Sequence, residues 1–353
     1  MLSYHSSTDA WLALSKACQH AKTSIDFEEY IIRDDSVGSA LLAIFMAKAR
    51  QGVRVRLLLD AFGSRRLHKR KAVTDLYEAG VQVIFYRPIN FVQHIIPSLG
   101  LPRDHAKALH IDGSVSYIGS MCVAAHMMGW RDTLMVLEGH AAMRSQLDFN
   151  RVWAREALNL EYRPCVDVHK DCPVTDTYAA QIPELGITGI IDILVAKVAE
   201  AKQNILIATP YFYPPRKLRE ALKSAHARGV VVTLMLASKT DIPLADTVTR
   251  GLAGHWSRFG FEVLFYQPQV LHAKYAMIDN NWATIGSCNF DLLSLHYNRE
   301  ANVVLREPNH VRQFVSQCKH DLSNCLPTPA TNASPNVWDK AVGQFGALIC
   351  HCF

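Results

Sequence analysis

The chain repeats itself. The segment "HAKALHIDGSVSYIGSMCVA" beginning at His105 returns as "HAKYAMIDNNWATIGSCNFD" beginning at His272, with lysine two residues on, aspartate seven, and Gly-Ser fourteen and fifteen. The copying extends well upstream. "KTSIDFEEYIIRDD" from Lys22 matches "KQNILIATPYFYPP" from Lys202, "ARQGVRVRLLLDAFGS" from Ala49 matches "AHARGVVVTLMLASKTD" from Ala225, and "AGVQVIFYRP" from Ala79 matches "FGFEVLFYQP" from Phe259. Self-similarity over whole halves means duplicated structure. The matched segments read as a helix end, a glycine stop and a β-branched strand. Each half therefore runs strand, helix, strand, helix, strand and then the motif. That alternation predicts an α/β layered sandwich and excludes an all-β fold or a helical bundle.

The register between the halves is 180 residues from Gly80 to Gly260 and 167 from His105 to His272, so the first half carries thirteen extra residues before its motif. They fall in "INFVQHIIPSLGLPRD", whose apolar residues and prolines predict a loop beside the motif, either a membrane-facing or substrate-facing lip or an excursion of the core. Residues 1–157 form the first half and 186–325 the second. Residues 158–185, rich in turn-formers and without a sustained period, read as a linker. Residues 326–353 read as a tail, with a short helix around "VWDKAVGQFGALI".

A chain of 353 residues, 49% hydrophobic, can bury a sizeable core in one large domain or two ordinary ones. It has no run of eighteen apolar residues, and its first twenty residues lack the basic and apolar regions of a signal peptide, so a cytoplasmic location is expected. Nine cysteines without framework spacing are expected to be reduced thiols, and the terminal "CHCF" reads as an ordinary tail. The net charge of +5, part of it in "RRLHKRK" from Arg65 to Lys71, suits an anionic partner without naming it.

In an extended strand residues two apart share a face, so His105 and Lys107 point together, as do His272 and Lys274. Asp112-Gly113 and Asp279-Asn280-Asn281 then supply turns, and each motif becomes a hairpin presenting a polar pair. Pseudo-twofold packing of the halves would bring both histidines to one seam. Two imidazoles there could act on a phosphodiester, one neutral and attacking phosphorus, the other protonated and donating to the leaving alkoxide. Lys107 and Lys274 would offset charge on the nonbridging oxygens, with Ser120, Ser287 and Asn289 as neutral donors. Each histidine also needs an acceptor to fix its tautomer. Glu300 is the candidate for His272 and Asp132 for His105. The turn position of Asp112 and Asp279 favours a structural role. His110, His126 and His296 read as structural or surface residues, and no zinc spacing is present.

The paired "HAKALHID…GS" and "HAKYAMID…GSCN" resemble the two HKD motifs of the phospholipase D superfamily, and "EEYIIRDDSVG", "TPYFYP", "WRDT" and "HYNRE" are most similar to bacterial cardiolipin synthases of the short type. The resemblance covers nearly the whole chain to about Asn324. It implies two α/β/α sandwich halves with the active site at their interface. It also implies phosphatidyl transfer through a phosphohistidine without metal or other cofactor. The carried-over site is His105, Lys107, Asp112, His272, Lys274 and Asp279, with Asn289 and Glu300 in the second half-site. The amino-terminal histidine is the nucleophile in such relatives, which points to His105. Three positions depart from the pattern: Cys122 replaces an asparagine, Ala106 an arginine, and "DLLS" from Asp291 the usual D-x-R-S.

These readings favour a phosphatidyltransferase acting on phospholipids such as phosphatidylglycerol, peripheral at the inner membrane surface. The rivals are a hydrolase of the same lipids, a nuclease using the basic segment, and a lipid-binding protein with a decayed first site. A nuclease would show steep salt dependence. The absence of a basic stretch interleaved with aromatic residues argues against it.

Overall fold

Three parallel strands open each half because each apolar run is followed by a helix that must cross back over the sheet. In the first half these are Ser24–Glu29, Arg54–Asp60 and Gln82–Tyr86, and in the second Asn204–Thr209, Val231–Ala237 and Glu262–Tyr266. The computed structural model describes residues 1–68, 70–88, 102–158, 175–240 and 243–327. Leu57 and Leu59 pack under the outer helices while Leu58 between them packs on the inner face, so this apolar run is buried on both sides.

The motif follows in each half as a hairpin laid antiparallel against the first of the three strands. Ala108–Ile111 pairs with Ser24–Glu29 and with Val115–Gly119; Lys274–Ile278 pairs with Asn204–Thr209 and with Trp282–Gly286. A further antiparallel strand, Leu134–Glu138 or Glu300–Leu305, completes the repeat. The halves thus contain sheets of seven and nine strands. Helices Ser7–His20, Ser36–Arg50 and Lys71–Glu78 cover the outer face of the first sheet, and Gly189–Glu200, Arg216–Ala227 and Pro243–Arg258 that of the second. The inner faces meet in a shared core, where Ala106, Ile118, Met135 and Leu137 of the first half join Met235, Tyr275, Ile285 and Val303 of the second and Phe314 of helix Pro308–Ser323. Each large side chain buried there contributes about 1.5–3 kcal/mol, which makes the seam part of the fold rather than a loose domain contact. The expected α/β/α halves are present.

Two expected boundaries shift. Within the predicted linker 158–185, Thr177–Ile182 is a strand paired with Glu300–Leu305, and Ile187–Thr188 pairs beyond it. Its sequence, "TYAAQI", hides the period because two alanines do the packing. Leu326 and Pro327, placed in the tail, form with Cys325 an edge strand against Glu262–Tyr266. Most of the apolar insertion, the rest of the tail and "CHCF" lie outside the described residues. Among the described residues no helix is long and apolar enough to cross a membrane.

Candidate active site

Each hairpin turn is built as its sequence suggests. Asp112 and Gly113 both have positive φ, as do Asp279 and Asn280, giving the tight turn that suits the twist of a two-stranded ribbon. The aspartates do not reach the histidines. Asp112 accepts the backbone N–H groups of Lys22, Thr23 and Ser24, and Asp279 those of Lys202, Gln203 and Asn204. Each lies seven positions beyond its histidine along a largely extended run, about 23 Å of chain. Their catalytic assignment is therefore corrected to an anchoring one. Although partial burial pushes both carboxyls up, the backbone donors hold them below the usual range. The stabilisation is present above the ordinary aspartate pKa and is lost as pH falls through the lower folded value. Asp279→Ala is expected to cost about 2 kcal/mol in chemical denaturation, as loss of a cap does, while leaving turnover within a few fold. A large loss of turnover in a folded variant would contradict the anchoring role.

At the other end of the hairpins the two halves interlock. The Nδ1–H of His105 donates to Glu300 at 2.9 Å, and that of His272 donates to Asp132 at 2.8 Å. The acids are thus exchanged relative to the sequence reading: each orients the histidine of the opposite half. The exchange follows from backbone pairing across the seam, where His105 N–H donates to Arg299 O at 3.0 Å and His272 N–H donates to Arg131 O at 2.8 Å. In both histidines Nδ1 is committed to an acid, so Nε2 is the nitrogen that remains for chemistry, and the Ser287 backbone adds a hydrogen bond to the His105 ring.

The repeated Gly-Ser now has a physical reason. A Cβ at Gly119 would lie 2.5 Å from Thr133 O, and one at Gly286 would lie 2.2 Å from Ala301 O, so only glycine lets the acid-bearing strand come this close. The following serine then donates to the acid, Ser120 to Asp132 at 2.7 Å and Ser287 to Glu300 at 2.5 Å. A hydroxyl has one proton. Committed to the carboxylates, the serines hold the acids instead of donating to a phosphate, which corrects their expected role. Asn289 differs, for its amide oxygen is buried without a hydrogen-bond partner.

Lys107 Nζ and Lys274 Nζ fold back to donate to the carbonyls of His105 and His272, at 2.8 and 2.5 Å, so each ammonium stays beside its imidazole. Burial, reinforced by Lys107, Lys274 and His272, holds His105 well below its ordinary pKa. Burial and Lys274 likewise lower His272, against the opposing pull of Asp132. Burial brings Lys274 down to about 8. The acids part company. Burial raises Glu300 to about 7, whereas Asp132, despite burial, is brought down to about 2 by His272, Lys274 and Ser120.

Several neighbours have no role in the sequence reading. Tyr30 stands edge-on to His105 with ring centres 4.9 Å apart, Trp130 does the same to His272 at 5.5 Å, and Ser294 adds a hydrogen bond to Glu300. Cys122 donates to the buried Glu29. Tyr30, Glu29 and Trp130 lie within "EEYII" and "WRDT", so the signal was in the segments, but not which side chains face the seam. His110 is a core residue bonded to Ser116, and His296 is exposed.

Residues 14–153 and 194–322 match the family model "cardiolipin synthase, PLD-like domain". The chain belongs to this family. Cardiolipin synthase 2 of Bacillus cereus is 32% identical over 325 residues, which are 89% of this chain and 63% of that protein. Cardiolipin synthase of Halalkalibacterium halodurans is 31% identical, over 88% and 63% of the two chains. The chain thus spans somewhat under two thirds of the length of these relatives. Among solved structures, phosphatidylserine synthase of Haemophilus influenzae superposes with a TM-score of 0.74 at 13% identity, over 98% of this chain and 93% of the other. That likeness is one of fold, and it includes the two-half arrangement.

Proposed function

We propose that the protein is a phosphatidyltransferase of the cardiolipin synthase type, working through a phosphohistidine. The observation that carries this reading is the pair of imidazoles, each held at Nδ1 by an acid from the opposite half and each lowered by burial and by the same two lysines. His105 Nε2 attacks phosphorus; the bond from phosphorus to the departing alcohol breaks, and His272 gives that oxygen its proton. In the second step the hydroxyl of the acceptor lipid attacks phosphorus, His272 takes its proton and the P–N bond breaks. The roles follow from the acids. A fully ionised Asp132 stabilises an imidazolium on His272, whereas His105, partnered by the raised Glu300, is the easier ring to keep neutral. Lys107, Lys274 and the Asn289 amide are the groups left to meet the phosphate oxygens.

Labelled phosphatidylglycerol tests the reaction. Cardiolipin and glycerol as products support transfer; phosphatidic acid alone would make the enzyme a hydrolase, and an untouched lipid would remove the lipid reading.

The pH profile carries a signed expectation. Catalysis needs His105 neutral and His272 protonated, and both are held below 6.5. The alkaline limb of kcat/KM is therefore expected below the ordinary histidine pKa, with apparent values belonging to the pair. A bound phosphodiester anion favours the protonated rings, so the limb in kcat should lie at higher pH. The reverse order of the two limbs would contradict the assignment.

Peripheral docking on the membrane that carries the substrate belongs to the same proposal. Leu293 and Tyr297 are 46% and 41% exposed on the turn whose Ser294 reaches Glu300, with the Lys217 ammonium near His296. Replacing both by serine is expected to lower binding to phosphatidylglycerol vesicles about 10- to 100-fold, since an apolar side chain contributes about 1.5–3 kcal/mol when fully buried and a little under half of each is still exposed. Unchanged flotation with vesicles would exclude these residues from docking.

A further inference from the structure

An acid that serves the histidine of the other half must be delivered across the seam to within a few tenths of an ångström, and two buried arginines stand where that delivery is set. Arg299 immediately precedes Glu300, and Arg131 immediately precedes Asp132. They are 3% and 2% exposed.

Arg299 is tied to the first half by both backbone and side chain. Its N–H donates to Arg103 O and its carbonyl accepts His105 N–H. Its guanidinium donates to Asp104 at 3.0 Å, lies 2.5 Å from Glu28 and sits over the Tyr86 ring at 5.6 Å. Burial, with Glu28 and Asp60 adding, pushes Asp104 well up against the pull of Arg299. Arg131 is tied to the second half in the same manner. Its N–H donates to Val270 O and its carbonyl accepts the N–H groups of His272 and Ala273. Its guanidinium makes a two-pronged pair with Asp321 of helix Pro308–Ser323, at 2.8 and 2.6 Å. Such forked pairs fix direction as well as distance, which a lysine ammonium cannot do.

We propose that Arg299 and Arg131 are the positioning residues of the site: each locks the acid that follows it onto the imidazole of the opposite half. The clamps couple docking of the halves to the tautomer of each histidine. They act whatever the substrate is, so this inference survives a different assignment of the lipid.

Selective 15N-histidine NMR tests it, with the two Nδ1–H resonances assigned from single histidine variants. In Arg299→Lys the His105 resonance is expected to disappear or move, while that of His272 stays. In Arg131→Lys the pattern should reverse. Asp104→Asn and Asp321→Asn, which weaken each clamp from its acceptor side, should give the same selective losses and keep the inference testable if an arginine variant does not fold. With phosphatidylglycerol as substrate, kcat should fall about 10–100-fold with KM within about twofold, the signature of misplaced groups that bind substrate normally. Retention of both resonances, or loss of both together in every folded variant, would overturn the proposal. An inactive parent enzyme with selective resonance losses would leave the clamps standing and remove the lipid assignment instead.

Discussion

Replacing His105 by alanine is expected to lower phosphatidyl transfer by roughly 10⁴-fold or more and to abolish covalent labelling of the protein by substrate. The reason is chemical rather than structural. Among the described residues the other orientated imidazole at the seam is His272, whose ionised partner Asp132 favours its protonated form; Lys107 and Lys274 have their ammonium groups turned onto backbone carbonyls, and the Cys122 thiol is pushed up to about 12, mainly by burial. His272→Ala should be comparably slow with a natural lipid but not with an activated one. A phosphatidyl ester of a phenol that leaves without a proton needs no general acid in the first step, so His272→Ala should still accumulate the labelled adduct while His105→Ala does not. Adduct formation by His105→Ala and not by His272→Ala would exchange the two roles.

Glu300→Gln should cost about 10²- to 10⁴-fold in kcat, on the scale seen when an orienting acid is lost from a catalytic triad. The amide can present an N–H to His105 where a carboxylate accepted one, which favours the wrong tautomer and puts a proton on Nε2. The crossed geometry makes the partner assignment testable by a double-mutant cycle. Once His105 is alanine, Glu300→Gln should cost little more, since the acid acts through that ring. Combined with His272→Ala measured on the activated ester, it should keep most of its penalty. Asp132→Asn should show the opposite pattern. Penalties that follow the sequence repeat, Glu300 with His272 and Asp132 with His105, would contradict the exchange.

Much of this was legible in the chain. The strands, the outer helices and both hairpins follow from glycine stops, β-branched runs and Asp-Gly or Asp-Asn turns, each a local property. The exchange of Glu300 and Asp132 was not. Aligning one repeat on the other places Glu300 twenty-eight residues after His272, and a repeat treated as self-contained assigns each acid to its own half. The pairing is decided by which backbone lies alongside which at the seam, Asp104 beside Arg299 and Arg131 beside Leu271, and no offset along the chain records that. Ser120 and Ser287 failed in sequence for a related reason. Their residue type suits a phosphate, but the glycine before each brings an acid-bearing strand within reach first. The strand Thr177–Ile182 was hidden because alanines give no hydrophobic period.

Titration calorimetry with tungstate, a tetrahedral oxyanion that stands in for the phosphate without reacting, tests the convergence of the two imidazoles most directly. One anion is expected to bind per chain, with binding lost or greatly weakened in His105→Ala and in His272→Ala alike. Two anions per chain, each lost only with its own histidine, would mean two separate half-sites and would contradict it.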